Sequence, residues 1–306
     1  QTLWRAVDEE RISIFGTSPR YLTACQQAGL NPKKQFQLST LRTILSTGSP
    51  LSADNFSWVY KHVKTDLQLS SISGGTDIIS CFMLGNPLLP VRSEEIQCRG
   101  LGMKVEVFDS AGRSIVNEVG ELVCTAPFPS MPVGFWNDPD SSKYKTAYFE
   151  DYPGVWRHGD MVKLTDQGSV IVYGRSDATL NPGGVRIGTA EIYNPVEAMK
   201  EIEDSLVIGQ QWNNDIRVVL FVVTKPGITL DDPLRDKIRQ TILSAATPRH
   251  VPAIILAIEE VPRTINGKKV EVAVARLIHG KDITNRYALA NPAALSQFVD
   301  IPELQS

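Results

Sequence analysis

The sequence predicts an α/β fold followed by an α+β fold: a parallel βαβ sheet, a small antiparallel β-barrel and a separate small carboxyl-terminal α+β domain. Strand-like and helix-like segments alternate over residues 1–95, which is typical of parallel sheets. Short strands separated by polar turns follow over residues 96–176 and are typical of antiparallel pairing. A polar, Gly-rich stretch then leads into a mixed pattern over residues 177–306. We therefore assign the first two segments to one larger domain and the third to a smaller one.

The composition excludes several classes of protein. The chain has 306 residues, 42% of them hydrophobic and 21% charged, which is a globular mixture. A net charge of -3 argues against a nucleic-acid partner. The longest apolar run, residues 218–223, is far shorter than the ~20 residues of a membrane span. A polar first decapeptide and four cysteines without a CxxC pair favour a reducing, cytoplasmic location.

The first part alternates strands with capped helices. We predict strands over residues 11–15, 43–47 and 67–73. Ser18 and Ser52 are suitable N-caps for the helices between them, and Pro19 fits the first helical position. Because ligands of parallel sheets bind beyond the carboxyl ends of the strands, the turns at residues 48–50 and 73–77 become candidate site loops.

The remaining elements are shorter and more varied. Strands of the predicted barrel are residues 103–109, 121–125, 161–164 and 169–173. The last part is predicted to contain helices 189–200, 232–246 and 270–278 and strands 206–209, 216–224 and 254–258. Pro195 lies inside the first of these helices and should bend it.

Five polar or Gly-rich segments carry residue types suited to chemistry: residues 48–50, 73–77, 156–160, 174–186 and 262–269. A hydroxyl and a carboxylate after two glycines suit a phosphate with Mg²⁺. An Asp at a turn can accept both hydroxyls of a sugar diol. A lysine at a tight turn can present a point charge to an anion. Taken singly, these segments are more typical of ordinary turns, hairpins or linkers than of a site, and a structural role is favoured for His158 over a catalytic one.

Taken in order, these segments resemble the motif series of the adenylate-forming superfamily, which includes acyl-CoA synthetases, luciferases and peptide-synthetase adenylation domains. Residues 120–123 and 134–136 are similar to its Gly-Glu-Leu segment. The resemblance implies ATP, Mg²⁺ and coenzyme A as ligands and a mobile lid over residues 177–306. It implies a nucleotide-binding set of Gly48, Ser49, Pro50, Gly75, Thr76, Asp160, Arg175 and Arg186. It also implies Thr76 and Lys268 as catalytic residues, Asp77 as the metal ligand and Asp177 as the hinge.

Within the superfamily, the chain is most similar to members that activate acetoacetate. The resemblance rests on residues 73–82, 127–132, 179–182, 191–194 and 286–292. It implies adenylation of acetoacetate by ATP, then thioester formation with coenzyme A and release of AMP and pyrophosphate. Acetate-specific relatives carry Trp where this chain has Gly74, which leaves room for a longer acyl group. Asp77 replaces the usual Glu of the metal motif.

The chain is about half as long as family members, and it lacks their Ser/Thr/Gly-rich triphosphate loop. We therefore expect it to be the carboxyl-terminal half of a synthetase. One alternative is a catalytically inactive fragment or binding module, and another is an acetyl- or propionyl-CoA synthetase. An unpaired sheet edge in such a fragment would favour self-association.

Overall fold

A computed structural model describes residues 1–283 and 286–305 of the chain. These residues form two compact units, Gln1–Val172 and Tyr173–Ser306, and the division falls inside a strand. The predicted boundaries after residues 95 and 176 remain predictions. Among the described residues, no helix is both long and apolar enough to cross a membrane.

The first unit begins with a parallel sheet between helices. Strands β1 (Ile14–Thr17), β2 (Thr43–Ser46) and β3 (Gln68–Ser71) pair in parallel in that order, as the alternating pattern predicts. The helices are α1 (Thr2–Glu9), α2 (Pro19–Gln27), α3 (Pro32–Gln35) and α4 (Ala53–His62). Ser18 and Ser52 cap α2 and α4 by accepting from the Tyr21 and Asn55 amides, both at 3.3 Å. The core of this part includes Trp4, Leu22, Ile44, Val59 and Leu69.

Two antiparallel sheets complete the first unit. One contains β4 (Ser73–Gly75), β5 (Ser80–Leu84) and β6 (Cys98–Arg99). The other contains β7 (Val105–Phe108), β8 (Val119–Cys124), β9 (Trp156–Leu164) and β10 (Val170–Arg175), in the order β10-β9-β8-β7. Helix α5 (Ser142–Tyr148) lies between β8 and β9 in the sequence. Residue 72 interrupts the predicted strand 67–73, which becomes β3 and β4.

The predicted β-barrel is wrong, because the described strands β7–β10 form an open four-stranded sheet. Turn spacing predicts which strands pair as neighbours, and those antiparallel pairs are present. Closure depends instead on whether the first and last strands meet, with consistent tilt and stagger. Local alternation of residue types carries no information about that contact.

The second unit packs helices on both faces of one sheet. Strands β11 (Ile202–Trp212) and β12 (Asp215–Thr224) are antiparallel, and β13 (Ile254–Ala257) runs parallel to β12. The helices are α6 (Thr189–Glu197), α7 (Asp232–Ala245) and α8 (Glu271–Ile278), accompanied by short 3₁₀ helices. Val207 and Leu220 face one core, while Leu206 and Phe221 face the other. The continuous apolar run at residues 218–223 therefore marks a strand that is buried on both faces.

Helix α6 is shorter than predicted. It ends at Glu197, two residues after Pro195, whereas the pattern predicted residue 200. Proline lacks the amide hydrogen that an interior helical position donates, and its ring crowds the preceding turn. Both effects act on the turn before Pro195, and the helix continues for two residues beyond it.

Candidate functional site

The first two candidate loops leave the same edge of the parallel sheet. Strands β2 and β3 are neighbours with Ser46 opposite Ser71, so their carboxyl ends lie side by side. The Ile72 amide donates to the Ser46 carbonyl at 2.9 Å just before the second loop begins. Gly48 has a φ of 101°, which favours glycine at the turn after β2. The structure thus brings residues 48–50 and 73–77 to one edge, as expected of a parallel sheet.

Gly75 packs directly against the proposed metal ligand. A Cβ on Gly75 would lie 2.0 Å from Asp77 Oδ1 and 3.3 Å from His158 Cε1. No side chain fits in the first of these spaces unless Asp77 moves. The family resemblance places Gly75 beside a phosphate. In the structure, Gly75 also leaves room for the Asp77 carboxylate beside the backbone.

Asp160 lies beside the same loop. It is a largely buried residue of β9, and its Oδ2 accepts a 3.4 Å hydrogen bond from the Ser73 hydroxyl. His158 Nε2 lies 3.8 Å from the same carboxylate oxygen. Residues 73–77 and 158–160, which are distant in the sequence, therefore form one polar cluster in the first unit.

Two residues without an assigned role support this cluster. Glu121, buried in β8, accepts from the Gly159 amide at 2.9 Å and pairs with Arg157 Nε at 3.2 Å. It holds β9 at Gly159, beside Asp160, where the pairing of β8 with β9 shifts register. The sequence signal for Glu121 is a carboxylate within an otherwise apolar strand. The Tyr148 hydroxyl donates to Asp77 Oδ2, while its ring stacks on Trp156 at a centroid distance of 3.6 Å.

The side chains around Asp77 suit only a cation whose other ligands come from substrate and water. Among the described residues, no group of three or more His, Cys, Asp or Glu side chains could hold a metal ion. Mg²⁺ is commonly bound by one or two carboxylates while substrate phosphates and waters complete its shell. The single Asp77 carboxylate fits that mode of binding.

Gly74 has a structural constraint of its own. A Cβ at this position would lie 2.2 Å from the Ser80 carbonyl oxygen and 2.6 Å from Cys81 Cα. Both atoms belong to the backbone of β5, so strands β4 and β5 can pair this closely only with glycine here. Close strand packing thus gives a reason for Gly74 that does not involve an acyl pocket, and the pocket role remains a prediction.

The remaining predicted residues belong to the second unit. Arg175 Nε lies 3.5 Å from Asp177 Oδ1, and both side chains are about half exposed. Arg186 and Lys268 are exposed. Lys268 lies in a hairpin, where Arg263 pairs with Lys269 and the Thr264 amide donates to the Lys268 carbonyl at 2.8 Å. Gly267 has a φ of 80°, as its place in this tight turn requires.

Comparisons with known proteins identify the relatives of the chain. Residues 1–132 match the AMP-binding enzyme family. Acetoacetyl-coenzyme A synthetase of Rhizobium meliloti (strain 1021) is 54% identical over 97% of the chain. In sequence, this chain is a relative of the acetoacetyl-CoA synthetases. The rat acetoacetyl-CoA synthetase is 50% identical over 99% of the chain. The chain spans about half the length of these relatives, 46% and 45% respectively.

Solved structures agree with this relationship. The acetoacetyl-CoA synthetase from Streptomyces lividans is 43% identical, with a TM-score of 0.92 over 100% of this chain and 47% of that one. A benzoate CoA ligase from Burkholderia xenovorans LB400, 20% identical with a TM-score of 0.72 over 89% of this chain and 53% of that one, shares the fold. The likeness to an acetoacetyl-CoA synthetase therefore extends over the whole chain.

Proposed function

We propose that the chain is the part of an acetoacetate–CoA ligase that binds the nucleotide and supplies the catalytic lysine. In that reaction, the acetoacetate carboxylate attacks the α-phosphorus of ATP, and pyrophosphate leaves. The thiol of coenzyme A then attacks the acyl-adenylate, and AMP leaves. The observation that carries the proposal is the cluster in which Ser73 hydrogen-bonds Asp160 at 3.4 Å beside Gly75 and Asp77.

The first unit supplies the nucleotide contacts. The loop of Gly48, Ser49 and Pro50 contacts adenine, and the Asp160 carboxylate accepts the two ribose hydroxyls. Gly75 lets the backbone approach the phosphates, and the Thr76 hydroxyl donates to the α-phosphate. Asp77 would hold Mg²⁺, which would neutralise phosphate charge when bound. The buried Glu121 keeps β9 in place beside Asp160, and the Tyr148 phenol keeps the Asp77 carboxylate in place.

The second unit supplies mobile cations. Lys268 stabilises charge that develops on the phosphate oxygens as the carboxylate attacks, while Arg175 and Arg186 bind the nucleotide. A fixed cation at such a point typically contributes ~10²–10³-fold to the rate. Asp177 is the hinge about which the unit changes position between the half-reactions. Gly74 leaves room for a longer acyl group, which makes acetoacetate the preferred acid over acetate or propionate. The enzyme acts in the cytoplasm.

AMP binding tests the nucleotide site on the chain itself. We expect calorimetry to detect AMP binding and Asp160→Ala to weaken it by about tenfold or more, because charge-assisted hydrogen bonds are lost. Asp166→Ala is the matched control, since Asp166 is an exposed turn residue of the same unit. Equal affinity of the two variants would contradict the assignment of Asp160.

Catalysis is best tested in a protein of the relatives' full length, about half of which the chain spans. We therefore place this chain in the Streptomyces lividans enzyme, in place of the segment that it matches, and call the product the hybrid. We expect the hybrid to release pyrophosphate from ATP with acetoacetate faster than with acetate or propionate, while the chain alone releases none. A folded hybrid that prefers acetate would contradict the proposed substrate.

A further inference from the structure

The hairpin of residues 263–269, which carries Lys268, rests on charged groups that are mostly buried. We call Glu197, Asp204, Arg263 and Lys269 the charge cluster. Its two cations stand at the base of the hairpin, directly opposite each other as bridge partners. Its two carboxylates come from helix α6 and strand β11. Both strands of the hairpin are therefore tied to the body of the second unit through ion pairs.

Arg263 links Asp204 to the turn of the hairpin. Its Nη2 donates to Asp204 Oδ1 at 2.8 Å and to Oδ2 at 2.6 Å. Its Nη1 donates to the Gly267 carbonyl at 2.7 Å. The two side chains are only 13% and 12% exposed, so water screens this pair weakly. A single guanidinium thus fixes the backbone immediately before Lys268.

Lys269 holds the other strand. Its Nζ pairs with Glu197 Oε1 and lies 3.6 Å from Asp204 Oδ1. The same ammonium lies 3.5 Å from the centroid of the Tyr193 ring, a cation–π contact. The Tyr193 hydroxyl in turn donates to Glu271 Oε1 at 2.9 Å. Lys269 is therefore fixed from three directions, whereas Lys268, its neighbour in the chain, is exposed.

Two features indicate that this arrangement serves position rather than stability. Buried ion pairs cost desolvation energy that apolar side chains of similar volume do not, so they add little net stability. Ionic contacts at both strands do specify one register for the hairpin. The Lys268 amide also donates to Thr264 Oγ1 at 3.1 Å, so the backbone of Lys268 is held on both sides.

We propose that Asp204, by binding Arg263 and Lys269 together, is the positioning residue that fixes the direction of Lys268. This inference rests on the proposed catalytic role of Lys268. The Asp204 carboxylate is shared by the two cations of the hairpin base, so its charge is what keeps the two strands in one geometry.

The test compares Asp204→Asn with Asp236→Asn, a carboxylate of the same unit that makes only an exposed pair with Arg239. In the chain, we expect Asp204→Asn to speed amide hydrogen exchange at Thr264, Gly267 and Lys268 by about tenfold or more. Exchange in β11 and β12, which reports the overall stability of the unit, should rise by a clearly smaller factor. Asp236→Asn should change neither. Unchanged exchange in the hairpin of Asp204→Asn would overturn the proposal.

Kinetics of the hybrid separate positioning from a merely structural role. We expect Asp204→Asn to lower kcat for adenylate formation by about tenfold or more and to leave thioester formation from supplied acetoacetyl-adenylate within about twofold. Equal losses in both half-reactions, together with an equal rise in exchange in the hairpin and in β11 and β12, would overturn the proposal. If Asp204→Asn does not fold, Lys269→Met, which removes one cation and shortens the side chain by one atom, must give the same split.

The two proposals can fail separately. If the chain does not bind AMP but Asp204→Asn shows the expected exchange pattern, the proposed function is refuted. The proposal that Asp204 anchors the hairpin then still stands. AMP binding with an unchanged hairpin would refute the role of Asp204 alone.

Discussion

At the scale of single residues, Gly75 leaves room for the Asp77 carboxylate. A Cβ at position 75 would lie 2.0 Å from Asp77 Oδ1, so a larger residue there would require the exposed Asp77 side chain to shift. The Tyr148 hydroxyl donates to the other carboxylate oxygen. The shorter Asp, in place of the family's Glu, is therefore held by Tyr148 and fits beside the glycine.

Replacing Lys268 tests its proposed chemistry. In the hybrid, Lys268→Ala should lower adenylate formation by ~10²–10³-fold, because a cation at the developing phosphate charge is lost. Thioester formation from supplied acetoacetyl-adenylate should persist. Separate assays of pyrophosphate release and of thioester formation measure the two steps, and equal loss in both would contradict the assignment. Lys281→Ala, an exposed lysine of the same unit, is the control.

The ionisation of Asp204 makes the stability of the second unit depend on pH. Burial alone would raise the pKa of Asp204, but the charges of Lys269 and Arg263 outweigh it and lower the pKa below its ordinary value. Because the folded pKa lies below the unfolded value of about 4, the stabilisation is complete above that pH. It is lost as the pH falls through the lowered pKa.

We therefore expect the free energy of unfolding of the second unit to fall as the pH drops below about 4. Asp204→Asn should show a smaller fall, since it has no proton to gain. Calorimetry over a pH series measures both slopes, and parallel slopes for the two proteins would contradict the role of Asp204 in acid stability.

At the scale of elements, the pairing of β4 with β5 depends on Gly74. Gly74→Ala places a Cβ 2.2 Å from a backbone oxygen, and overpacking of this kind typically costs about 1–3 kcal/mol. Urea denaturation should show that loss. Gly16→Ala is the matched control, because Gly16 also lies in a strand and its added Cβ meets nothing within 4 Å. Equal stability of the two variants would show that β4 and β5 adapt to the methyl group.

Gly74 also shows the limit of motif analysis. Its place in the motif predicted an acyl pocket, and the structure adds a strand contact that no neighbour in the sequence indicates. The bend that Pro195 predicts in helix α6 stays a prediction, although the helix itself is present with the proline inside it. Elements governed by local chemistry, such as the Ser18 and Ser52 caps and the turn at Gly267, were predicted correctly.

At the scale of the whole molecule, two compact units predict two unfolding transitions. AMP should raise the midpoint of the first unit more than that of the second, because most of the proposed nucleotide contacts lie in the first unit. Gly74→Ala should lower the same transition, and Asp204→Asn should lower the other. Scanning calorimetry measures these shifts. A single transition that moves with both variants and with AMP would contradict independent folding of the units.

The sequence by itself determined the parallel sheet, the antiparallel pairs and the order of the motifs, because strand alternation, caps and turn residues act over a few positions. Only the tertiary structure decided that the sheet of β7–β10 stays open, that Ser73 meets Asp160, and that Glu121 and Tyr148 support the site. It also decided that Asp204 joins Arg263 to Lys269. These contacts link residues far apart in the chain, and no local pattern specifies which distant side chains share one volume.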